Sequence, residues 1–187
     1  MPTLLPFRDY DEHDVLNLYS VTIPGTTYPT KGTFVKVVTP FTGDTTQSLG
    51  SMPGAAFAGS TANPRWNVRA NVTAITSSGE NTIGMLLYDV RETDENSEVL
   101  LYRPQKQHEL QAVLSGQTCP IISRGLFIYS GISGTVVAGS PAFLASDGGL
   151  SMQGSGIIGQ VASTATRVGT FLGAPNAVGH TLVRINV

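Results

Sequence analysis

The chain has few charged residues and a single cysteine. Lys, Arg, Asp and Glu make up 13% of its 187 residues, about half of the usual quarter. A surface this poor in charge favours contact with other proteins. The formal net charge is −2 and the 11 Lys and Arg residues are scattered, so we expect no direct binding to nucleic acid. Cys119 has no partner within the chain, which excludes an internal disulfide framework.

Long apolar runs are also missing from the sequence. No stretch approaches the roughly 18 consecutive apolar residues of a membrane-spanning helix, so we expect no membrane partner. Residues 1–10 have neither the basic start nor the apolar run of a secretion signal. We therefore expect synthesis in the cytoplasm and no export by that route.

Signatures of catalysis are absent as well. His13, His108, His180 and Cys119 are dispersed along the chain, and none lies in a nucleophile or metal-ligand pattern. No Gly-x-Ser-x-Gly turn occurs, and no lysine follows a phosphate-binding glycine pattern. We therefore expect a protein that is not an enzyme and that uses no metal or other cofactor.

Two motif matches have a simpler structural explanation. Residues 154–159 spell the Gly-x-Gly-x-x-Gly string of dinucleotide-binding turns, but β-branched and small residues follow where that site needs a helix. Residues 89–98 are acidic, but they lack the glycine and the ligand spacing of a calcium-binding loop. We interpret the first match as accidental and the second as a solvated hairpin tip.

Short apolar runs separated by Gly, Ser and Asn turns are the main positive signal, and they predict strands. We expect one β-rich domain over residues 1–187, with residues 120–187 as its most regular part. The predicted fold is all-β, a small β-barrel or a β-tulip or sandwich-like domain with an extended N-terminal arm. In that regular part, strands are predicted at residues 124–129, 140–145, 157–161, 168–172 and 181–187.

The last predicted strand has the clearest phase. Alternation along a pleat places every second side chain on the same face. Thr181, Val183, Ile185 and Val187 fall on one face of this strand, and we expect Val183, Ile185 and Val187 to point into the core. The opposite set is Leu182, Arg184 and Asn186.

Two irregular segments are candidates for binding. Residues 1–12 combine prolines, which donate no ladder hydrogen bond, with apolar side chains, and they predict an extended arm that docks on a partner. Residues 41–64 form a long Gly, Ser, Thr and Pro loop, a type of segment that is often functional. The candidate interface residues are Leu4, Leu5, Phe7 and Tyr10 in the arm and Leu49, Met52 and Phe57 in the loop.

The middle of the chain predicts further strands at residues 14–23, 33–39 and 65–75. Residues 82–90 and 98–102 predict a hairpin, and residues 105–114 predict about one turn of helix. Gly84 and Gly169 occupy equivalent places in two similar apolar runs. A glycine inside a strand indicates a bend or a close approach of two backbones.

Part of the chain resembles a known family. The segments that carry the resemblance are residues 83–92, 113–120, 123–127, 138–143 continuing through 147–150, and 169–172. Through these segments, residues 80–187 are similar in pattern to the capsid decoration, or cement, proteins of tailed bacteriophages. The resemblance implies a small β-domain that is often trimeric, bound to the capsid exterior where major capsid proteins meet.

Two functions from different classes follow. The first is a virion structural protein, made in the bacterial host cytoplasm, that binds the assembled capsid and stabilises contacts between major capsid protein subunits, with a homotrimer favoured. The second is a receptor- or glycan-binding module of a phage tail fibre or baseplate, which needs an exposed aromatic platform. Low charge and missing catalytic chemistry agree with the first.

Overall fold

The computed structural model describes residues 4–21, 28–39, 70–145, 148–152 and 165–187. These residues form short strands with very little helix, which confirms the all-β prediction. The predicted strand at 157–161, the loop at 41–64 and the glycine motif at 154–159 lie outside the described residues. In chain order the strands are β1 (Leu4–Pro6), β2 (Val15–Leu16), β3 (Ser20–Val21), β4 (Phe34–Thr39), β5 (Asn71–Ala74), β6 (Gly84–Leu86), β7 (Asp89–Val90), β8 (Ala112–Val113), β9 (Ile121–Ile122), β10 (Arg124–Tyr129), β11 (Ile132–Ser133), β12 (Pro141–Leu144), β13 (Leu150–Ser151), β14 (Arg167–Phe171) and β15 (Thr181–Asn186).

Most of the strands belong to two sheets. The large sheet has seven strands in the order β1-β10-β15-β14-β12-β13-β11. Its neighbours are antiparallel except for the parallel pair β11 and β13. The second sheet has the order β2-β9-β6-β4-β5-β3, and β7 pairs with β8 separately. Among the described strands neither sheet closes on itself, so the structure gives no closed barrel.

The main core contains side chains of both sheets. Phe34 and Met85 of the second sheet belong to the same buried cluster as Phe127, Phe171 and Val183 of the large sheet. Burial of this much apolar surface is the main stabilising contribution to such a fold. The large sheet therefore has one face turned toward the core, and the alternate side chains of its strands point away from it.

The middle of the second sheet is buried on both faces. Phe34, Met85 and Ile122 belong to the main core, whereas the adjacent Val35 and Leu86 belong to a second buried cluster. A strand buried on both faces reads as a continuous apolar run and not as an alternation. This explains why β6 and β9 lack the polar positions that mark the exposed face of β15.

The predicted phase of β15 is confirmed at three positions and wrong at one. Thr181, Val183 and Ile185 are buried, and the side chains between them point to the other face. Val187 is 43% exposed because it follows the last residue of the strand.

The predicted close approaches at two glycines are also confirmed. A Cβ atom on Gly84 would lie 2.3 Å from the carbonyl oxygen of Ile122, and one on Gly169 would lie 2.1 Å from that of Arg184. Gly84 also has a φ of +149°, a conformation that favours glycine. Both residues let neighbouring strands of a sheet come closer than a side chain allows.

The predicted N-terminal arm is not confirmed. Leu4–Pro6 form β1, which pairs antiparallel with β10 at the edge of the large sheet, and Leu4 is 4% exposed in the main core. Proline is accepted on an edge strand, where its missing N–H can face solvent. Pro6 is therefore compatible with an edge strand and does not keep this segment out of the sheet.

The predicted hairpin at residues 82–90 and 98–102 is wrong. Its second half contains a 3-10 turn at Leu100–Tyr102. The short helix α1 (Pro104–Glu109) follows, and it begins one residue before the segment 105–114 that predicts a helical turn. The Asp94 carboxylate accepts hydrogen bonds from the backbone N–H groups of Asn96 and Glu98. These bonds favour a compact turn over a ladder.

The predicted strand at residues 14–23 is interrupted. A 3-10 turn at Glu12–Asp14 lies at its start. The segment then forms two separate short strands, β2 and β3, which lie at opposite edges of the second sheet. The strands predicted at 33–39, 124–129, 140–145 and 168–172 correspond to β4, β10, β12 and β14.

Candidate protein-binding surface

A row of apolar side chains crosses the outer face of the large sheet. Leu5 of β1 is in register with Ile128 of β10, and Ile128 is in register with Leu182 of β15. The backbone N–H of Leu172 donates to the Leu182 carbonyl oxygen at 2.8 Å, so Leu172 continues the row beyond β14. We call these four residues the apolar row.

The apolar row is accessible to solvent at both ends. Leu5 is 46% exposed and Leu172 is 45% exposed, while Ile128 and Leu182 between them are half-buried. Directly opposed residues on one sheet face have Cβ atoms about 5 Å apart. The four side chains therefore form one continuous strip across four strand positions.

A second row adjoins this strip. The backbone N–H of Phe7 donates to the Leu126 carbonyl oxygen at 2.9 Å, so Phe7 extends the edge beside β10 and is 51% exposed. Leu126 is in register with Arg184, and Arg184 with Thr170. The face therefore changes from apolar to cationic over a distance of about two residues.

Arginines occupy the other end of the same face. Arg124 is in register with Asn186, and its Nε donates to the Asn186 Oδ1 at 3.1 Å. Arg167 donates from Nε to the Gly169 carbonyl oxygen and from Nη2 to the Thr170 Oγ1, each at 3.3 Å. We call Arg124, Arg167 and Arg184 the arginine cluster.

The predicted interface residues divide into three groups. Leu5 and Phe7 lie on the outer face, and Tyr10 is exposed with its ring centroid 6.4 Å from that of Phe127. Leu4 belongs to the main core, so its side chain does not lie on the outer face. The remaining three, Leu49, Met52 and Phe57, lie outside the described residues.

Sequence reasoning missed most of this surface. The alternation of β15 already separated Leu182 and Arg184 from the core set, and that signal was sufficient to find the centre of the face. Ile128 and Leu172 carried no such signal, because their place beside Leu182 depends on the strand order. Long-range pairing brought these residues together.

The histidines and the cysteine are not brought together in the described part of the chain. His13 is exposed and contacts the Asp11 carboxylate at 2.7 Å. Burial raises the pKa of the Cys119 thiol to about 12, which keeps it protonated and weakly nucleophilic at neutral pH. Within the described ranges, no three His, Cys, Asp or Glu side chains lie close enough together to hold a metal ion.

The acidic segment around β7 has internal partners. The backbone N–H groups of Glu98 and Asn96 hold the pKa of Asp94 below its usual range. Glu95 pairs with Lys106 of α1 at 2.8 Å, and Glu98 pairs with Arg103. These contacts join the segment to the helix, which accounts for its charge without a bound cation.

No protein-family model matches the chain, and no curated protein is similar to it. Of the helices in the described residues, none has the length and apolar character needed to span a membrane. The outer face of the large sheet is the feature from which a function can be argued.

Proposed function

We propose that the protein is a virion structural protein that binds the outer surface of an assembled phage capsid and stabilises contacts between major capsid protein subunits. The observation that carries this proposal is the apolar row, which a rigid sheet presents to solvent. Contiguous exposed apolar surface is typical of protein-binding sites. The resemblance of residues 80–187 to capsid decoration proteins supplies the identity of the partner.

The composition supports the same proposal. Only 13% of the residues are charged. A surface with few charges does less to prevent association with other proteins. Interface centres are depleted of charge and enriched in apolar and aromatic residues. The part of this face that includes Leu5 and Phe7 has that character, because both apolar side chains are exposed. The expected place of action is the virion exterior, with a homotrimer as the favoured assembly.

Binding to the assembled shell tests this function. A protein that contacts several subunits at once gains its whole interface only when those subunits already stand at the right spacing. We therefore expect co-sedimentation with empty shells of the same phage and at least about tenfold weaker binding to unassembled capsid subunits. Equal affinity for free subunits would contradict the proposal.

A second candidate function is supported by one observation. Tyr102 is 81% exposed and lines a shallow cavity with Arg103, Gln105 and Glu109. An exposed aromatic ring beside polar side chains is suited to packing on a sugar, as a receptor- or glycan-binding module requires. Tyr102→Ala should abolish glycan binding under that function and leave shell binding unchanged under the first.

A further inference from the structure

The arginine cluster is an unneutralised cationic site on one face of a sheet. The seven strands of the large sheet contain Arg124, Arg167 and Arg184 but no Asp, Glu or Lys. The ion pairs found among the described residues are elsewhere, at Lys36, Arg103, Lys106 and His13. In the described part of the chain, no carboxylate therefore pairs with the arginine cluster.

The cluster is also partly organised for a ligand. Arg124 and Arg167 each donate to neighbouring polar atoms, which restricts their orientation. Arg184 lies on β15, between the strands that carry Arg124 and Arg167, and its exposed side chain makes no hydrogen bond within the described residues. Arg167, Thr170, Arg184 and Asn186 line a shallow cavity of about 440 Å³ beside Gly169.

The chemistry of the cavity selects an oxyanion. A guanidinium presents parallel N–H donors that match the two oxygens of a carboxylate. Thr170 and Asn186 add a hydroxyl and an amide that can donate to the same group. A carboxylate placed between Arg167 and Arg184 would satisfy the donors that remain free.

The apolar row determines which kind of molecule with a carboxylate group fits this face. Successive positions on one face of a strand are about 7 Å apart, so the apolar row begins one position from Arg184. A small inorganic anion would occupy the arginines and leave that row exposed. An acidic side chain with apolar neighbours, on a protein surface, covers both halves of the face at once.

We infer that the outer face of the large sheet binds an acidic and apolar surface of the major capsid protein. A carboxylate of that surface lies between Arg167 and Arg184, and its apolar side chains cover Leu182 and Leu172. This inference rests on the proposed function and adds the binding face and the chemistry of the partner. The other occupant to be tested is a second copy of this chain, through the acidic residues 9–14 next to β1.

Charge reversal on the sheet face is the first test. Arg184→Glu should weaken binding to empty shells by about tenfold or more, because it places a carboxylate opposite a carboxylate. The matched control is Arg103→Glu, which makes the same change of net charge at an exposed pair with Glu98 and should stay within about twofold of the wild type. Thermal melting of both variants shows whether they are folded.

Crosslinking identifies the occupant directly. Arg184→Lys introduces a primary amine, which a water-soluble carbodiimide joins to a carboxylate in contact with it. We expect mass spectrometry of treated, decorated shells to find position 184 joined to an Asp or Glu of the capsid protein. Lys31, Lys36 and Lys106 are the native lysines and provide the background in the wild-type protein.

The outcomes separate the inference from the proposed function. If wild-type protein does not bind shells, the proposed function is wrong. If it binds and Arg184→Glu binds equally well, this inference is overturned and the proposed function stands. A crosslink from position 184 to residues 9–14 of a second copy would also overturn it, by showing that self-association occupies the face.

Discussion

Gly169 shows how strongly a single residue constrains the large sheet. A Cβ atom there would lie 2.1 Å from the carbonyl oxygen of Arg184, which belongs to the neighbouring strand and cannot rotate away. We expect Gly169→Ala to destabilise the fold by about 2 to 4 kcal/mol, since backbone must shift to accept it. Chemical denaturation measures the loss. Shell binding of the folded fraction should weaken too, because Arg184 moves with its carbonyl.

Gly173 provides the matched control for that substitution. A Cβ atom on Gly173 would meet its nearest neighbours at 3.8 to 3.9 Å, an ordinary van der Waals contact. We expect Gly173→Ala to change the free energy of unfolding by less than about 0.5 kcal/mol. Equal effects of the two substitutions would show that the strands are not held as close as the structure describes.

Glu80 makes the stability of the fold depend on pH. The Lys36 ammonium, which donates to Glu80, and the backbone N–H of Thr76 hold the pKa of this carboxyl below its usual range. A lowered folded-state pKa stabilises the fold at neutral pH, and that stabilisation is lost as the pH falls below the ordinary glutamate pKa of about 4.3 and through the lower pKa of the folded state. We expect Glu80→Gln to reduce the decrease in stability between pH 7 and pH 3. Denaturation at both pH values measures this.

Lys36→Gln tests the same pair from the other side. Because it removes the main donor to Glu80, it should reduce the pH dependence nearly as much as Glu80→Gln does. Unchanged pH profiles in both variants would mean that this pair is open in solution.

Individual residues could be predicted where local pattern decides their environment. The phase of β15 follows from alternation alone, and Val183 and Ile185 are core residues as that alternation requires. Leu4 could not be placed, because its burial depends on pairing with Tyr129, which lies more than a hundred residues away in the chain. Only the tertiary structure distinguishes Leu4 in the core from Leu5 on the surface.

At the scale of the element, β1 belongs to the fold as well as to the binding face. Leu4 is buried in the main core, and Leu5 is 46% exposed on the outer face. We expect Leu4→Ala to destabilise the fold by about 2 to 3 kcal/mol, at the low end for core leucines because the strand lies at an edge. Leu5→Ala should cost less than about 0.5 kcal/mol.

The two leucines should separate again in a binding experiment. Leu5→Ala should weaken attachment to shells with little change in melting temperature, since Leu5 is part of the apolar row. Leu4→Ala should lower the melting temperature and leave attachment of the folded protein close to that of the wild type. The reverse pattern would indicate that β1 is not part of the sheet and that the N-terminal segment is a free arm, as the sequence predicts.

Elements with a clear hydrophobic period could be predicted from the sequence. Elements whose form depends on hydrogen bonds between polar side chains and the backbone could not. β4, β10, β12, β14 and β15 occur where alternating or compact apolar runs predict them. Residues 98–102 have the composition of a strand but form a turn, because Asp94 binds the backbone before it and Pro104 begins a helix after it. Most of the candidate site could not be predicted for a similar reason, since strand order is set by non-local pairing.

At the scale of the molecule, the two sheets have different roles. The middle of the second sheet is buried on both faces and contributes to two clusters of the core. The large sheet has one face in the core, and its other face presents the apolar row and the arginine cluster. Most of this face belongs to the paired strands β10, β15 and β14, whose backbone is already ordered before binding, so binding loses little conformational entropy.

Rigid attachment to several subunits leads to the last prediction, that the protein stabilises the shell it binds. A ligand that binds the intact lattice and not its dissociated subunits adds RT ln(1 + [L]/Kd) for each site, about 2.7 kcal/mol at a concentration of 100 Kd. The temperature at which shells dissociate should therefore rise with added protein and continue to rise slowly above half occupancy. Arg184→Glu should need a higher concentration for the same shift, because it raises the Kd. Light scattering during heating measures the transition, and a bound protein that leaves this temperature unchanged at saturation would contradict the stabilising role.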